Sequence, residues 1–411
     1  MAIIKPFRAL RPTEKEAAQV ASVPYDVVSV AEAKKLGEKS RHSFLRVTRA
    51  EIDLPENTDV DADEVYTRAR ENLEKLQKDN VLVRESAPSL YVYRLSMSGG
   101  AQTGVVALCS LDEYANNLIK KHEKTRPDKE DDRTRHIVAT RAQTGLVFLC
   151  YRGTSHINEI VSSATTQEAP LYNFVAEDGV QHTIWRVKET ESLVDAFAAV
   201  PAIYIADGHH RAASANRART ILKNEKNAPE DKRTFEDHDF LVAALFPAEQ
   251  LKILAYNRIV KDLNNLSEME FLEKLAQTFS VTRTSVHIPE RRQEFRMYLA
   301  GEWYKLEFTA NFAQTSLIDA LDVSILQNYV LTPILGIEDV RTSKRIDFIG
   351  GIRGTKELQK LVDENVAKVA FSLFPTSVED LLAVSDKGKI MPPKSTWFEP
   401  KLRDGLLVHL V

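Results

Sequence analysis

Residues 202–215 read AIYIADGHHRAASA. The run Ile203-Tyr204-Ile205 is apolar and strand-like, and Asp207-Gly208 is a turn pair. From Arg211 to Arg219 the chain is alanine-rich and made of strong helix formers. The order is therefore strand, tight turn, helix N-terminus. Such a junction is a ready anion site, because the first N–H groups of a helix lack internal partners and point outward. His209, His210 and Arg211 fall in the first helical turn, where positive charge opposes the macrodipole. Three basic residues there are expected to meet an anionic ligand that offsets them. The plain alternative is a solvated helix start with locally packed histidines.

Working outward, a second stretch carries the same chemistry. Residues 119–127 read IKKHEKTRP, which holds four cations, one carboxylate, one hydroxyl and one imidazole. Lys121 and Lys124 are suited to neutralising phosphate charge, and Glu123 or His122 to accepting a proton. Most such charged runs are solvated loops, which is the competing reading. Near the start, SVPYDVV is stiffened by Pro24, and it offers Tyr25 and Asp26 as a site wall or as a plain structural turn. Near the end, Pro392-Pro393 makes a stiff tail in which Lys394, Ser395 and Thr396 supply a cation and two hydroxyls. That tail either closes over a site or packs as a terminal strand.

Length and composition bound the answer. The chain has 411 residues, enough for two or three domains, and is 43% apolar and 28% charged, as in ordinary globular proteins. The net charge of -4 argues against a dedicated nucleic-acid binder. Cys109 and Cys150 lie in apolar runs and read as buried core thiols, so no disulfide framework is expected. The start lacks a signal-type apolar core and no run approaches a membrane span, so the expected compartment is the reducing cytoplasm, with no membrane partner. The oligomeric state, a homo-oligomer included, is left open.

The remaining pattern interleaves strands and helices without a strict βαβ rhythm, so the fold class is α+β, or mixed α/β. A helix is expected over 61–80, a hairpin from 89–97 and 103–111 around Ser98-Gly99-Gly100, and a charged helix over 128–142. Strands are expected at 42–47 and 146–151, and FLVAALF at 240–246 reads as the interior strand of a covered sheet. Tyr256-Asn257-Arg258 is expected to be exposed enough to reach a ligand. A boundary in 225–239 would divide a first domain, 1–230, from a second, 231–411.

Several stretches together resemble the bacterial and archaeal domain-of-unknown-function family ten-fifteen: IKPFRALRP, SVPYDV, SFLRV, HEKT, IADGHHRAASA, LKILAYNRIVKDLN and MPPKSTWFEPKL. The central stretch also looks like the glycine–x–x–arginine–x–x–alanine segment of the ParB/sulfiredoxin superfamily. Gly208, Arg211 and Ser214 stand at its marked positions, with serine in place of alanine. That likeness implies a ParB/sulfiredoxin-like element and a nucleotide whose phosphates lie against residues 208–211. Sulfinic-acid repair is disfavoured, because His209 stands where the superfamily's reactive cysteine would be.

Three functions follow. The first is a phosphotransferase using ATP or ADP, with Mg²⁺ bridging the phosphates, acting on a small metabolite such as free serine. Gly208, His209, His210, Arg211, Lys121 and Lys124 would hold phosphate. Glu123, Asp207 and His122 are the catalytic candidates, with Asp26 a further carboxylate; Tyr25, Asp26, Lys394 and Ser395 would face substrate. The second is a non-catalytic ParB-like nucleotide switch, disfavoured by the acidic charge and by the lack of a basic helix-turn-helix stretch. The third, a zinc hydrolase using His122, His209 and His210, ranks last. Adjacent helical histidines project about 100° apart and seldom share an ion, so no metal ligands are assigned.

Overall fold

The computed structural model describes residues 2–225, 235–309 and 316–411. They form two compact units, one of residues 1–251 and 400–411, the other Lys252–Glu399. The boundary expected at 225–239 falls largely outside the described residues.

The first unit is built on a nine-stranded mixed sheet. Its strands are β1 Ile4–Lys5, β2 Leu90–Met97, β3 Gly100–Ser110, β4 Ile119–Lys120, β5 Val147–Tyr151, β6 Tyr172–Val175, β7 Gln181–Val187, β8 Ile203–Asp207 and β9 Phe240–Pro247. The order is β4-β8-β5-β9-β3-β2-β7-β6, with β1 pairing β3 off this path. β2 and β3 form the expected antiparallel hairpin, Met97 opposite Gly100. FLVAALF is interior as its composition requires: β9 is buried throughout, antiparallel to β3 and parallel to β5. β8 runs parallel to β4 and antiparallel to β5, so the strand leading into the central turn is flanked on both sides.

The helices that frame the site are α1 Asp63–Lys78, α2 Pro127–Thr140 and α3 His209–Glu225. The alanines of α3 bury a small-residue face made of Ala212, Ala213, Ala215 and Ala218 in the main core, beside Val147, Leu149, Ile203 and Ile205. Ser214, also buried, donates its hydroxyl to the Glu130 carbonyl of α2 at 2.9 Å, which ties the two helices together. Both cysteines are buried and free, and burial pushes the Cys150 thiol up to about 12. Among the described residues no helix is long and apolar enough to cross a membrane.

One local expectation is corrected. Residues 42–47 do not form a strand; Leu45–Thr48 is a short helix. Phe44, Val47 and Thr48 are buried at i, i+3 and i+4, and so short an apolar run satisfies either periodicity until its neighbours decide.

The second unit carries a six-stranded antiparallel sheet in the order Phe279–Arg283, Glu302–Phe308, Glu294–Leu299, Val369–Leu373, Tyr256–Val260, Ile346–Gly350. Leu358 and Val362 of helix Gly354–Asp363 pack on Ile259, Tyr298 and Ala370. Asn257 and Arg258 are buried rather than exposed, each at 3%. The guanidinium of Arg258 donates to the carbonyls of Tyr256 and Lys394, and Asn257 accepts from the Leu373 N–H. Inward-facing polar residues of this kind serve backbone groups, which apolarity patterns do not register.

Candidate functional site

The site grows from the end of β8. Asp207 closes the strand, Gly208 turns with φ 95°, and His209 opens α3. An added Cβ at Gly208 would have room, 3.6 Å from Val147, so the glycine is required by its left-handed backbone rather than by space. The turn is braced by Asp207, which accepts the Gly208 N–H at 2.8 Å and the ammonium of Lys401 at 2.7 Å. Burial acts to raise the Asp207 pKa; the ammonium of Lys401 more than offsets it and brings it down to about 2. Asp207 is therefore an ionised brace with both oxygens engaged.

The HEKT stretch does reach this turn. β4 pairs β8 in parallel, and the loop that follows it crosses the first turn of α3. The backbone N–H of His122 points at Nε2 of His209, 3.4 Å away, and the N–H of Arg126 donates to Nε2 of His210 at 3.0 Å. The rings of His122 and His209 meet edge to face, with centroids 4.4 Å apart. Both are buried, and burial lowers the His122 pKa to about 4 and that of His209 well below its usual range. His209 is neutral at physiological pH, so it neither opposes the helix dipole nor adds positive charge to a ligand. Lys121 is half-buried with its ammonium 3.9 Å from the ring centre of Tyr114, and burial lowers its pKa; Lys124 is exposed.

Arg211 points the other way, into the protein. Its guanidinium makes two hydrogen bonds to Asp404, at 2.8 and 3.1 Å, and the two side chains are 14% and 2% exposed. Burial acts to lower the Arg211 pKa and the carboxylate of Asp404 overcomes this, so the guanidinium is held more firmly charged than usual. Arg211 and Arg133 lie 5.4 and 4.2 Å from the ring centre of Tyr25. Tyr25 is thus buried in a cation–aromatic cluster, whereas its neighbour Asp26 is exposed. Gly145 leaves the space this pair occupies: a Cβ there would stand 1.4 Å from Nη1 of Arg211.

A small cleft runs along the turn, lined by Asp26, Phe148, Asp207, Gly208, Lys401 and Asp404 among others. At about 30 Å³ it has room for ordered water. The structure therefore gathers Asp26, His122, Glu123, Asp207, Gly208, His209, His210 and Lys121 around one turn. Lys394 and Ser395 lie in the second unit. There the ammonium of Lys394 is 5.5 Å from the ring centre of Tyr256, and the buried Ser395 hydroxyl donates to Pro392. The sequence marks none of Lys401, Asp404 and Gly145 as site residues, and Arg133 reads there only as a charge in the middle of the 128–142 helix. Lys401 and Asp404 come from a tail some 190 positions away, and the Asp404-Gly405 turn pair was their only local signal.

His122, Glu123 and His209 also bring donor atoms within 4.8 Å of one another. The objection to a metal from adjacent histidines applies to His209 with His210. His122 approaches His209 from the loop after β4 and is not subject to it.

Residues 4–324 match the family described as protein of unknown function (DUF1015), and the chain belongs to that family. No curated protein matches. Among solved structures, SbnI with a C-terminal truncation from Staphylococcus aureus is 14% identical, covering 74% of this chain and 87% of its own at a TM-score of 0.40. A variant of free serine kinase in complex with AMP is 12% identical, with coverage of 73% and 92% and a TM-score of 0.37. A conserved hypothetical protein from Pyrococcus furiosus is 13% identical, with coverage of 75% and 95% and a TM-score of 0.36. Overlaps this loose assign neither a substrate nor a residue to the present chain.

Proposed function

We propose that this protein is a nucleotide-dependent phosphotransferase acting on the hydroxyl of a small metabolite. The observation that carries the reading is the HEKT loop laid across the N-terminus of α3 by the His209 and His210 contacts. It brings the loop that carries Lys121, Glu123 and Lys124 to a helix end that favours anions. The ParB/sulfiredoxin-like reading of Gly208 to Ser214 agrees with phosphate at this turn.

In this reading the first-turn amides of α3, with Lys121 and Lys124, take the nucleotide phosphates of ATP or ADP. Transfer needs positioning and charge neutralisation more than covalent chemistry. Mg²⁺ would enter with the nucleotide and supply charge neutralisation between its phosphates. Glu123 accepts the proton of the attacking hydroxyl. Asp207 is less suited, since Lys401 and the Gly208 amide occupy its oxygens and hold its pKa low. Arg211 serves the fold beneath the site and contributes through the position of Tyr25 and Asp404. Free hydroxy amino acids such as serine are the first acceptors to test.

The test is a thermal-shift series with ATP, ADP, CTP and GTP on wild type and on Lys121→Ala with Lys124→Ala. A nucleotide that binds only the folded chain stabilises it by about 2.7 kcal/mol at hundredfold excess over Kd. The expected result is a shift with one nucleotide that shrinks in the double variant. No shift with any nucleotide refutes the reading.

A further inference from the structure

We propose that His122, Glu123 and His209 form a binding site for one divalent ion of the zinc or cobalt type. The three side chains come from two separate elements, the loop after β4 and the first residue of α3, and their donor atoms lie within 4.8 Å of one another. Around an ion bound at 2.0–2.2 Å, donors stand roughly 3.3–3.5 Å apart in tetrahedral geometry. The set therefore has to close by little more than 1 Å. Both imidazoles are buried, their rings 4.4 Å apart at 88°, and His122 hydrogen-bonds to the backbone carbonyl of Ile205 on β8. A ligating histidine usually makes such a bond through its other ring nitrogen, which fixes ring orientation and tautomer. The contact that now engages Nε2 of His209 is a 3.4 Å approach from the His122 N–H, long enough to be readily replaced.

The donor chemistry selects the ion. Two imidazole nitrogens and one carboxylate suit zinc and its neighbours, whereas magnesium and calcium prefer all-oxygen shells. The positive end of α3 and Lys121 oppose a cation here, and the Glu123 carboxylate is the ligand charge that answers them. Three protein ligands leave a fourth position, where water or a phosphate oxygen would complete the shell. Coordination would occupy the Glu123 carboxylate, so ion-loaded protein is expected to turn over more slowly. That consequence rests on the phosphotransferase reading; the binding does not.

The test uses the untagged full chain, stripped with chelator and free of nucleotide, titrated with Co²⁺ by visible absorption and with Zn²⁺ by calorimetry. One equivalent per chain is expected, with low-coordinate cobalt bands that Zn²⁺ displaces and Mg²⁺ does not. Glu123→Gln is expected to weaken uptake at least about tenfold, and His122→Gln about a hundredfold or more. No stoichiometric uptake, uptake unchanged in Glu123→Gln, or equal competition by Mg²⁺ would overturn the site. If His122→Gln does not fold, Glu123→Gln decides alone, since its side chain lies outside the core. A nucleotide-induced thermal shift in chelator without ion uptake removes this site and spares the proposed function. Uptake without any nucleotide shift does the reverse.

Discussion

Replacing Arg211 with alanine removes one partner of a buried ion pair. In the sequence Arg211 reads as a phosphate-binding residue whose truncation would spare the fold. In the structure its two hydrogen bonds end on Asp404, a carboxylate 2% exposed, and its guanidinium packs against Tyr25. Truncation strands the Asp404 charge in the interior, and loss of one partner from such a pair costs about 3–5 kcal/mol. For a unit of this size, 1 kcal/mol moves Tm by roughly 2–4 °C, so Arg211→Ala should melt roughly 6–20 °C lower. The assay is denaturant and thermal unfolding of Arg211→Ala, Asp404→Ala and the double variant without ligand. The double variant should be far less destabilised than the sum of the singles, because it removes the stranded charge together with its partner. Arg211→Ala within about 1 kcal/mol of wild type, or additive singles, would refute the structural role and return Arg211 to the ligand site.

Other outcomes follow from the same geometry. Gly145→Ala should cost at least about 3 kcal/mol, since its methyl must displace the Arg211–Asp404 pair; a variant as stable as wild type in urea would contradict the packing. His122, His136 and His182 are buried with pKa values lowered to about 4, 3 and 3, and burial also holds His209 well below its usual range. Unfolding returns them to about 6.5, so the unfolded chain binds more protons and stability falls as pH drops below about 6.5. The four together give at most about 5 kcal/mol per pH unit between pH 6 and 4, and urea midpoints independent of pH from 7 to 5 would exclude this. The Asp322 carboxyl of the second unit, raised by burial to about 7, acts in the opposite sense. It favours folding at low pH and withdraws that support as pH rises from about 4 to 7, and Asp322→Asn should remove this opposing contribution in the same titration. Glu123→Gln should retain the nucleotide-induced thermal shift and lose turnover with the acceptor; undiminished turnover would remove Glu123 as the base.

Much of the scaffold was legible in the chain because its signals are local. The 89–111 hairpin follows from alternation on either side of a Ser-Gly-Gly turn, and β9 follows from an unbroken apolar run. The turn at Gly208 was readable because a strand, a turn pair and an alanine-rich segment succeed one another within fourteen residues. Where a local signal fits two periods, as at 42–47, tertiary burial chose the helix.

The site divides along the same line. Residue types and their order determined that a helix N-terminus rich in histidine and arginine would follow β8, and that a loop of lysines and a carboxylate existed elsewhere. Only the tertiary structure decided that β4 pairs with β8 and so lays this loop on that helix end. It also decided that His209 is neutral and that Arg211 belongs to Asp404. The physical reason is that charge state and hydrogen-bond partners depend on burial and on groups far away in sequence, such as Lys401 and Asp404. Periodicity and propensity carry no information about either.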